Sequence, residues 1–458
     1  MGGMTAESSA PPTSNPRTAD SGSRRVGIGT IVALSLGVGL VAAVLLPFGP
    51  WPTDDANSAT AAVLFGFALG WALLAALSLQ LTDQPQRWAV APAAFMAVAG
   101  VLLLVLPEAL LAALDWIWPP ALLVLVVFVF RSAKRDLRSR TRTWLVNPVL
   151  AVLVLLALGG VYEVVGRAAE TSVAMRGELV DVGPYRLHLE CTGTGAPTVI
   201  LEPGGGASAA TMGWIAPEVA RHTTVCVYDR AGKGWSDAAQ TAPDGAQVAT
   251  DLHTLLERAQ IPGPYVLAGH SFGGLYVMRY AAQYPDEVAG LVLIDSTAPN
   301  SNPVPTTTEG SDSFLKHVSA LLSTTARLGL GRLIAGASPS DLPPSYRDEA
   351  NASAATPKEM AAFIDEYAVA GRSASEAGAF TTLGDKPLVV LTAERGNSPG
   401  WTEHQDAMAT LSTNSRHDVV PGSTHQSLTD NPAHAAVVSD AIVDVVEGVR
   451  TGHPLGSR

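Results

Sequence analysis

Gly269-His270-Ser271-Phe272-Gly273 has the spacing Gly-x-Ser-x-Gly, with the apolar run YVLA before it and LYVMRYAAQY after it. A chain that passes from strand to helix at a serine needs small residues on both sides, because bulky ones collide in so sharp a turn. The serine is then exposed and its backbone strained. In a chain with 43 glycines the five-residue pattern alone would mean little. The strand before it, the helical run after it and the extra Gly274 make Ser271 a predicted nucleophile. A serine hydroxyl attacks poorly at neutral pH, so it needs a histidine to take its proton and a carboxylate to orient that histidine. The tetrahedral species would carry an oxyanion, for which the same turn supplies the backbone N–H of Phe272 as a donor.

Four stretches extend this pattern: LEPGGGAS (201–208), YDRAGKGWSD (228–237), AGHSFGGLYVMRYAAQYPDEVAGLVLIDS (268–296) and PGSTHQ (421–426). Through them residues from about 175 to 450 resemble the α/β-hydrolase superfamily, most closely its membrane-tethered bacterial members. The resemblance implies serine hydrolysis through an acyl-enzyme, with an ester as the expected substrate. It implies His425 as the base, in a loop after the last strand and ahead of a closing helix at 432–449. The acid of such proteins usually follows the seventh strand in a stretch like G-E-x-D, whereas this chain has Ala393-Glu394-Arg395-Gly396. Two candidates stand: Asp295, ending the sixth strand, and Glu394, ending the seventh. Asp295 is favoured because a short side chain on a strand end is well fixed. The second oxyanion donor should come from Gly204-Gly205-Gly206, with Gly205 the expected residue; the family commonly has His-Gly where this chain has Pro203-Gly204. Cys191 and Cys226 fall on strands that the family's order makes neighbours, and an outward location permits a disulfide between them.

The elements that must position these residues alternate. Runs at 185–193, 197–206, 223–232, 265–274, 290–296 and 387–395 read as strands, and 244–260 and 272–285 as amphipathic helices, which predicts a mostly parallel sheet. The expected fold is therefore an α/β-hydrolase domain over 172–458. From 298 to 385 the rhythm is interrupted by polar and helical segments without a convincing strand, the pattern of a helical cap or lid.

Residues 26–166 are of another kind. Apolar runs at 26–49, 57–81, 88–106, 109–130 and 143–165, charged only at Asp115 and Glu163, each approach or exceed the roughly 20 residues that cross a bilayer core. They predict an all-α polytopic membrane region of about five helices, preceded by a disordered, Ser- and Pro-rich tail at 1–25. Arg17, Arg24, Arg25, Arg87 and the segment RSAKRDLRSRTR (131–142) alternate with acidic connections, as the positive-inside rule requires. Five spans and an inward N-terminus place the hydrolase domain outside the cell membrane. The membrane itself and a small apolar ester are the expected partners. Asp115, beside Trp116 and Trp118, reads as a carboxylate near the outer interface.

The net charge of −12 comes entirely from the C-terminal part, since the residues before 167 are slightly basic, which argues against a nucleic-acid partner. The ten histidines show no HExxH or other tight metal spacing, so no metal or organic cofactor is expected. One rival needs a cofactor: Gly204-x-Gly206-x-x-Ala209, with Asp229 twenty residues beyond, nearly matches a dinucleotide-binding fingerprint. An outward location disfavours it. A non-catalytic ligand-binding outer domain is the other alternative, although Ser271 and His425 are both present. Peptidase, thioesterase and C–C hydrolase activities share the fold.

Overall fold

In the computed structural model, which describes residues 26–49, 55–137, 140–170, 173–299, 309–337 and 340–456, the apolar runs fold as a helical bundle. The tail expected at 1–25 lies outside these residues. The bundle comprises α1 (Ile28–Leu45), α2 (Ala56–Leu81), α3 (Val90–Val105), α4 (Glu108–Asp115), α5 (Trp118–Asp136) and α6 (Arg140–Glu170). Among the described residues four stretches are long and apolar enough to cross a membrane: Ile28–Phe48, Ala56–Leu81, Arg87–Val105 and Thr143–Ala169. Small residues let α1 and α2 touch backbone to backbone, since a Cβ on Gly66 would lie 2.2 Å from the Ala43 nitrogen and one on Gly39 2.8 Å from Gly70 Cα.

The run expected as one span at 109–130 is instead two helices. Pro119 and Pro120 fit only the first turn of a helix, so the chain stops after Asp115 and restarts at Trp118. The short α4 stays at the end of the bundle nearest the C-terminal domain, where Asp115 pairs with Arg167 at 2.8 Å. Helix α5 then makes the return passage. Trp118 packs on Gly160 of α6, and the far end of α5 meets the turn at Arg87–Ala89. Its last turns carry Arg131, Lys134 and Arg135, which keep it out of the uniformly apolar class. Five helices therefore alternate in direction. Val26 N–H donates to Leu81 O at the basic end, whereas Phe48 lies beside His317 and Asn57 accepts from Arg327 at the end facing the C-terminal domain.

From residue 178 the pattern becomes α/β. Strands β1 (Glu178–Asp181), β2 (Arg186–Thr192), β3 (Thr198–Glu202), β4 (Val225–Tyr228), β5 (Tyr265–His270), β6 (Val288–Ile294), β7 (Leu388–Arg395) and β8 (Ser415–Thr424) form one sheet in the order β1-β2-β4-β3-β5-β6-β7-β8. β2 is antiparallel to both its neighbours and the rest are parallel. Cys191 and Cys226, directly opposite each other on β2 and β4, form a disulfide. Helices α7 (Ile215–Val219) and α17 (Pro432–Thr451) cover one face, with Ile215, Val438 and Ile442 fully buried against Val199, Val266 and Val292. Helices α8 (Gly245–Arg258) and α9 (Phe272–Gln283) cover the other, burying Leu252, Leu255 and Met278 against Ile200, Leu267 and Leu291. Between β6 and β7 come only helices among the described residues: α10 (Glu309–Ser323), α11 (Leu330–Ala337), α12 (Pro344–Ala354), α13 (Pro357–Ala368) and α14 (Ala370–Ala377). The short helices α15 (Trp401–Ala409) and α16 (Ser427–Asp430) flank β8.

Candidate active site

β5 ends at His270 and α9 begins at Phe272, which leaves Ser271 alone in the turn with φ 56° and ψ −121°. A non-glycine residue held there costs about 1–3 kcal/mol, which the packed strand and helix must offset. The turn closes only around glycines. A Cβ on Gly269 would stand 2.5 Å from Gly273 O, and one on Gly273 2.4 Å from Glu202 O.

His425 follows β8, and its ring is turned toward the end of β6. Its Nδ1–H donates to Asp295 Oδ2 at 2.6 Å, which leaves Nε2 as the unprotonated nitrogen of the neutral ring, the tautomer a base requires. Asp295 is fully buried, with φ 43°, and its other oxygen accepts from Trp401 Nε1 at 2.8 Å and from Ala393 N–H at 3.1 Å. Burial alone would raise the Asp295 carboxyl, but the hydrogen bonds from His425 and Trp401 outweigh it and hold the group below the usual carboxylate range. The His425 side chain keeps 42% of its surface exposed. No hydrogen bond joins Ser271 Oγ to His425 among the described residues; in hydrolytic sites this contact often tightens only around substrate.

Glu394 stands elsewhere. It accepts from Gly422 N–H at 2.7 Å and faces Arg395 at 4.0 Å, shaping the turn before His425 without reaching the ring. His270 is buried, and its Nε2–H donates to His425 O at 3.1 Å. Burial, with a smaller contribution from His425, pulls the His270 imidazole down to about 3, so it stays neutral.

On the other side of Ser271 lies the glycine loop after β3. A Cβ on Gly204 would meet Ser271 Cβ at 3.2 Å, and one on Gly205 would meet the Phe272 ring at 2.7 Å. The N–H groups of Gly205 and Phe272, the two expected oxyanion donors, have no acceptor among the described residues. Arg230 holds this loop from behind. Its guanidinium donates to Pro203 O at 2.9 Å and Gly204 O at 2.7 Å, and pairs with Glu202 at 2.6 Å and Glu366 at 2.8 Å. Glu366, carried by cap helix α13, also accepts from Gly206 N–H at 2.7 Å and lies 3.5 Å from the buried Lys233 amine. Burial pushes Glu202 up to about 7; it would raise Glu366 too, but the Arg230 and Lys233 charges keep that carboxyl below its usual range. The same helix lays Phe363 against Gly206 and Tyr367 at 5.0 Å from the Phe272 ring.

The structure thus brings Ser271, His425, Asp295, Phe272 and Gly205 to one end of the sheet and leaves Glu394 outside. Sequence reasoning missed Trp401, Arg230 and Glu366. Arg230 lay in a stretch already singled out, whereas nothing marked Glu366, 136 residues away. The dinucleotide reading is overturned. Asp229, which would have to meet a ribose, is buried and spends its oxygens on His188 Nδ1 at 2.8 Å, Ala209 N–H at 2.7 Å and Trp235 N–H at 3.1 Å. A cavity of about 720 Å³ opens beyond the Arg230 cluster, between the loop after β4, the cap and the start of α2, and Ser271 does not line it.

Residues 197–432 match the family model of the alpha/beta hydrolase fold. Among curated proteins the chain is 32% identical over 161 residues to an uncharacterized protein of Schizosaccharomyces pombe, covering 28% of this chain and 30% of that one. It is 30% identical over 132 residues to an uncharacterized vacuolar membrane protein of Saccharomyces cerevisiae (24% and 20% covered). It is 30% identical over 118 residues to a 2-(acetamidomethylene)succinate hydrolase of Mesorhizobium japonicum (26% and 42% covered). The matched stretch spans less than half the length of each. A thermophilic esterase from Thermogutta terrifontis aligns at TM-score 0.46 and 25% identity, covering 61% of this chain and all of that one. The family match takes in the glycine loop, the serine turn, β6 with Asp295, and His425, and by it this chain belongs to the alpha/beta hydrolase fold family.

Proposed function

We propose that the chain is a membrane-anchored serine hydrolase that cleaves esters of apolar acyl groups through an acyl-enzyme on Ser271. The observation that carries this reading is the 2.6 Å pairing of His425 Nδ1 with the buried, ionised Asp295 at the strand ends beside a strained Ser271. His425 Nε2 takes the Ser271 proton as Oγ attacks the ester carbonyl, and Asp295 stabilises the resulting imidazolium. Gly205 and Phe272 donate to the oxyanion. His425 then returns the proton to the leaving alcohol, and a water deprotonated by the same nitrogen releases the acid. Half-exposed Phe363 and Tyr367, above Phe272, favour an apolar acyl chain.

The hydrolase domain faces the outer side of the cell membrane on this reading. Five alternating helices with their basic turns opposite the domain support that orientation, as does a disulfide of the kind oxidising compartments permit. The test is turnover of p-nitrophenyl esters of graded acyl length by the detergent-solubilised full chain. We expect hydrolysis that rises with acyl length and vanishes in Ser271→Ala. No turnover of any ester, or equal turnover by Ser271→Ala, overturns the reading.

A further inference from the structure

Helix α11 of the cap is eight residues long and two-faced. Leu330, Leu333 and Ile334, at spacings of three and four, leave 42%, 56% and 55% of their surfaces exposed, while Gly331 and Arg332 point inward. What lies against the inward side fixes the height of this helix along the membrane bundle. A Cβ on Gly159 of α6 would meet Leu328 O at 2.4 Å, Tyr162 lies against Gly329, and Arg332 pairs with Glu163 at 3.2 Å. Trp144 marks the opposite end of the α6 span. From Trp144, Gly159 is about 22 Å along the helix axis and Glu163 about 28 Å, at about 1.5 Å per residue. A hydrocarbon core is about 30 Å thick, so α11 begins at or just below its outer boundary. Tyr162 at the contact is itself half-exposed, as is Val165 one turn further along α6.

We infer that α11 is an interfacial helix: it lies in the outer boundary of the bilayer with Leu330, Leu333 and Ile334 among the acyl chains, and the ester substrate is a bilayer-resident amphiphile drawn from that leaflet. The second half rests on the serine-hydrolase reading above. Apolar side chains on one face with a charged anchor on the other are what hold a short helix in the headgroup region. The route inward is short. A Cβ on Gly331 would meet Ala354 O at 3.0 Å and Ala355 Cα at 3.2 Å, at the junction of α12 and α13, and α13 carries Phe363, Tyr367 and Glu366 beside the glycine loop and Phe272. An acyl chain leaving the leaflet beside α11 thus meets Phe363 and Tyr367 next.

Two measurements on the full chain in phosphatidylcholine/phosphatidylglycerol vesicles test this. The native cysteines are joined to each other, so Leu333→Cys takes a nitroxide label alone, with Asp286→Cys as the water-facing reference. We expect the Leu333→Cys label to collide freely with oxygen and at least about fivefold less with a water-soluble nickel complex than the reference label does. Equal nickel access places α11 in water, and exclusion of both probes shows a second protein surface covering it; either result overturns the inference. In the second measurement the double variant L330E/L333E should hydrolyse a long-chain ester embedded in the vesicles about tenfold more slowly, with p-nitrophenyl acetate turnover within about twofold of the native rate. Equal loss on both esters, or loss on neither, overturns the leaflet route. If the native chain hydrolyses no ester, the hydrolase reading fails, and the label still decides where α11 lies.

Discussion

The two sides of Ser271 are built differently. On the proton-transfer side every group comes from the ends of the central sheet and the segments just beyond them: Asp295 after β6, Trp401 at the start of α15, His425 after β8, His270 at the end of β5. On the oxyanion side the glycine loop is shaped by Arg230 behind β4 and by Glu366, a residue of the cap. One half of the site is therefore complete in the sheet domain alone, whereas the other depends on where the cap sits. A charge buried in a strand-end crevice needs few partners if each is short and fixed. A charge under a helical cap owes its place to how the cap docks, so on the serine-hydrolase reading the cap helps set the oxyanion donors through Glu366 and Gly206.

The largest effect should come from the proton-transfer side. Asp295→Asn is expected to lower kcat on p-nitrophenyl esters by about 10^4-fold, because an amide stabilises the wrong tautomer and no imidazolium. Glu394→Gln, one strand over, should change kcat by less than about threefold; a reversal of these two would move the acid to Glu394. Breaking the oxyanion side should cost less in rate and more in stability. Glu366→Gln removes the charge that faces Arg230 and Lys233, and we expect about 3 kcal/mol of destabilisation in chemical denaturation, as for a buried ion pair that loses a partner. The same variant should lose about tenfold in kcat with KM little changed. An unaltered kcat would show that the cap does not act on the glycine loop.

The smallest effect is a pH dependence on the proton-transfer side. His270 is held near 3 in the folded chain, against about 6.5 when unfolded, so the unfolded state binds more protons between these values. Its contribution to stability is complete above pH 6.5 and is lost as pH falls toward 3. Thermal unfolding of the native chain should move to lower temperature between pH 6.5 and 4.5, and His270→Asn should flatten that slope.

Much of this arrangement was legible in the residues. The serine turn needs glycines that no other use of Gly269 and Gly273 explains, and that is why Ser271 and the Phe272 N–H were readable from a local pattern. Between Asp295 and Glu394 the residues gave only a preference, for the shorter side chain of Asp295, because both lie at the ends of parallel strands; the placement of Trp401 and the reach of His425 separate them in the structure. β1 and β8 escaped the strand reading: one is four residues long, and the other opens with the polar run Ser415-Arg416-His417-Asp418. In the membrane region the prolines at 119 and 120 signalled an interruption, but not that the chain would set α4 aside and send α5 back with its basic turns attached. Glu366 was unreadable because its partners are fixed by how the cap docks, which no periodicity within α13 encodes.

Activation of Ser271 as a nucleophile by His425 is tested most directly by mass mapping of the full chain after treatment with a fluorophosphonate, beside Ser271→Ala and His425→Ala. A single phosphonyl adduct is expected on the peptide containing Ser271, absent from Ser271→Ala and formed far more slowly in His425→Ala. No adduct on the native chain, or an adduct of equal yield in Ser271→Ala, would contradict it.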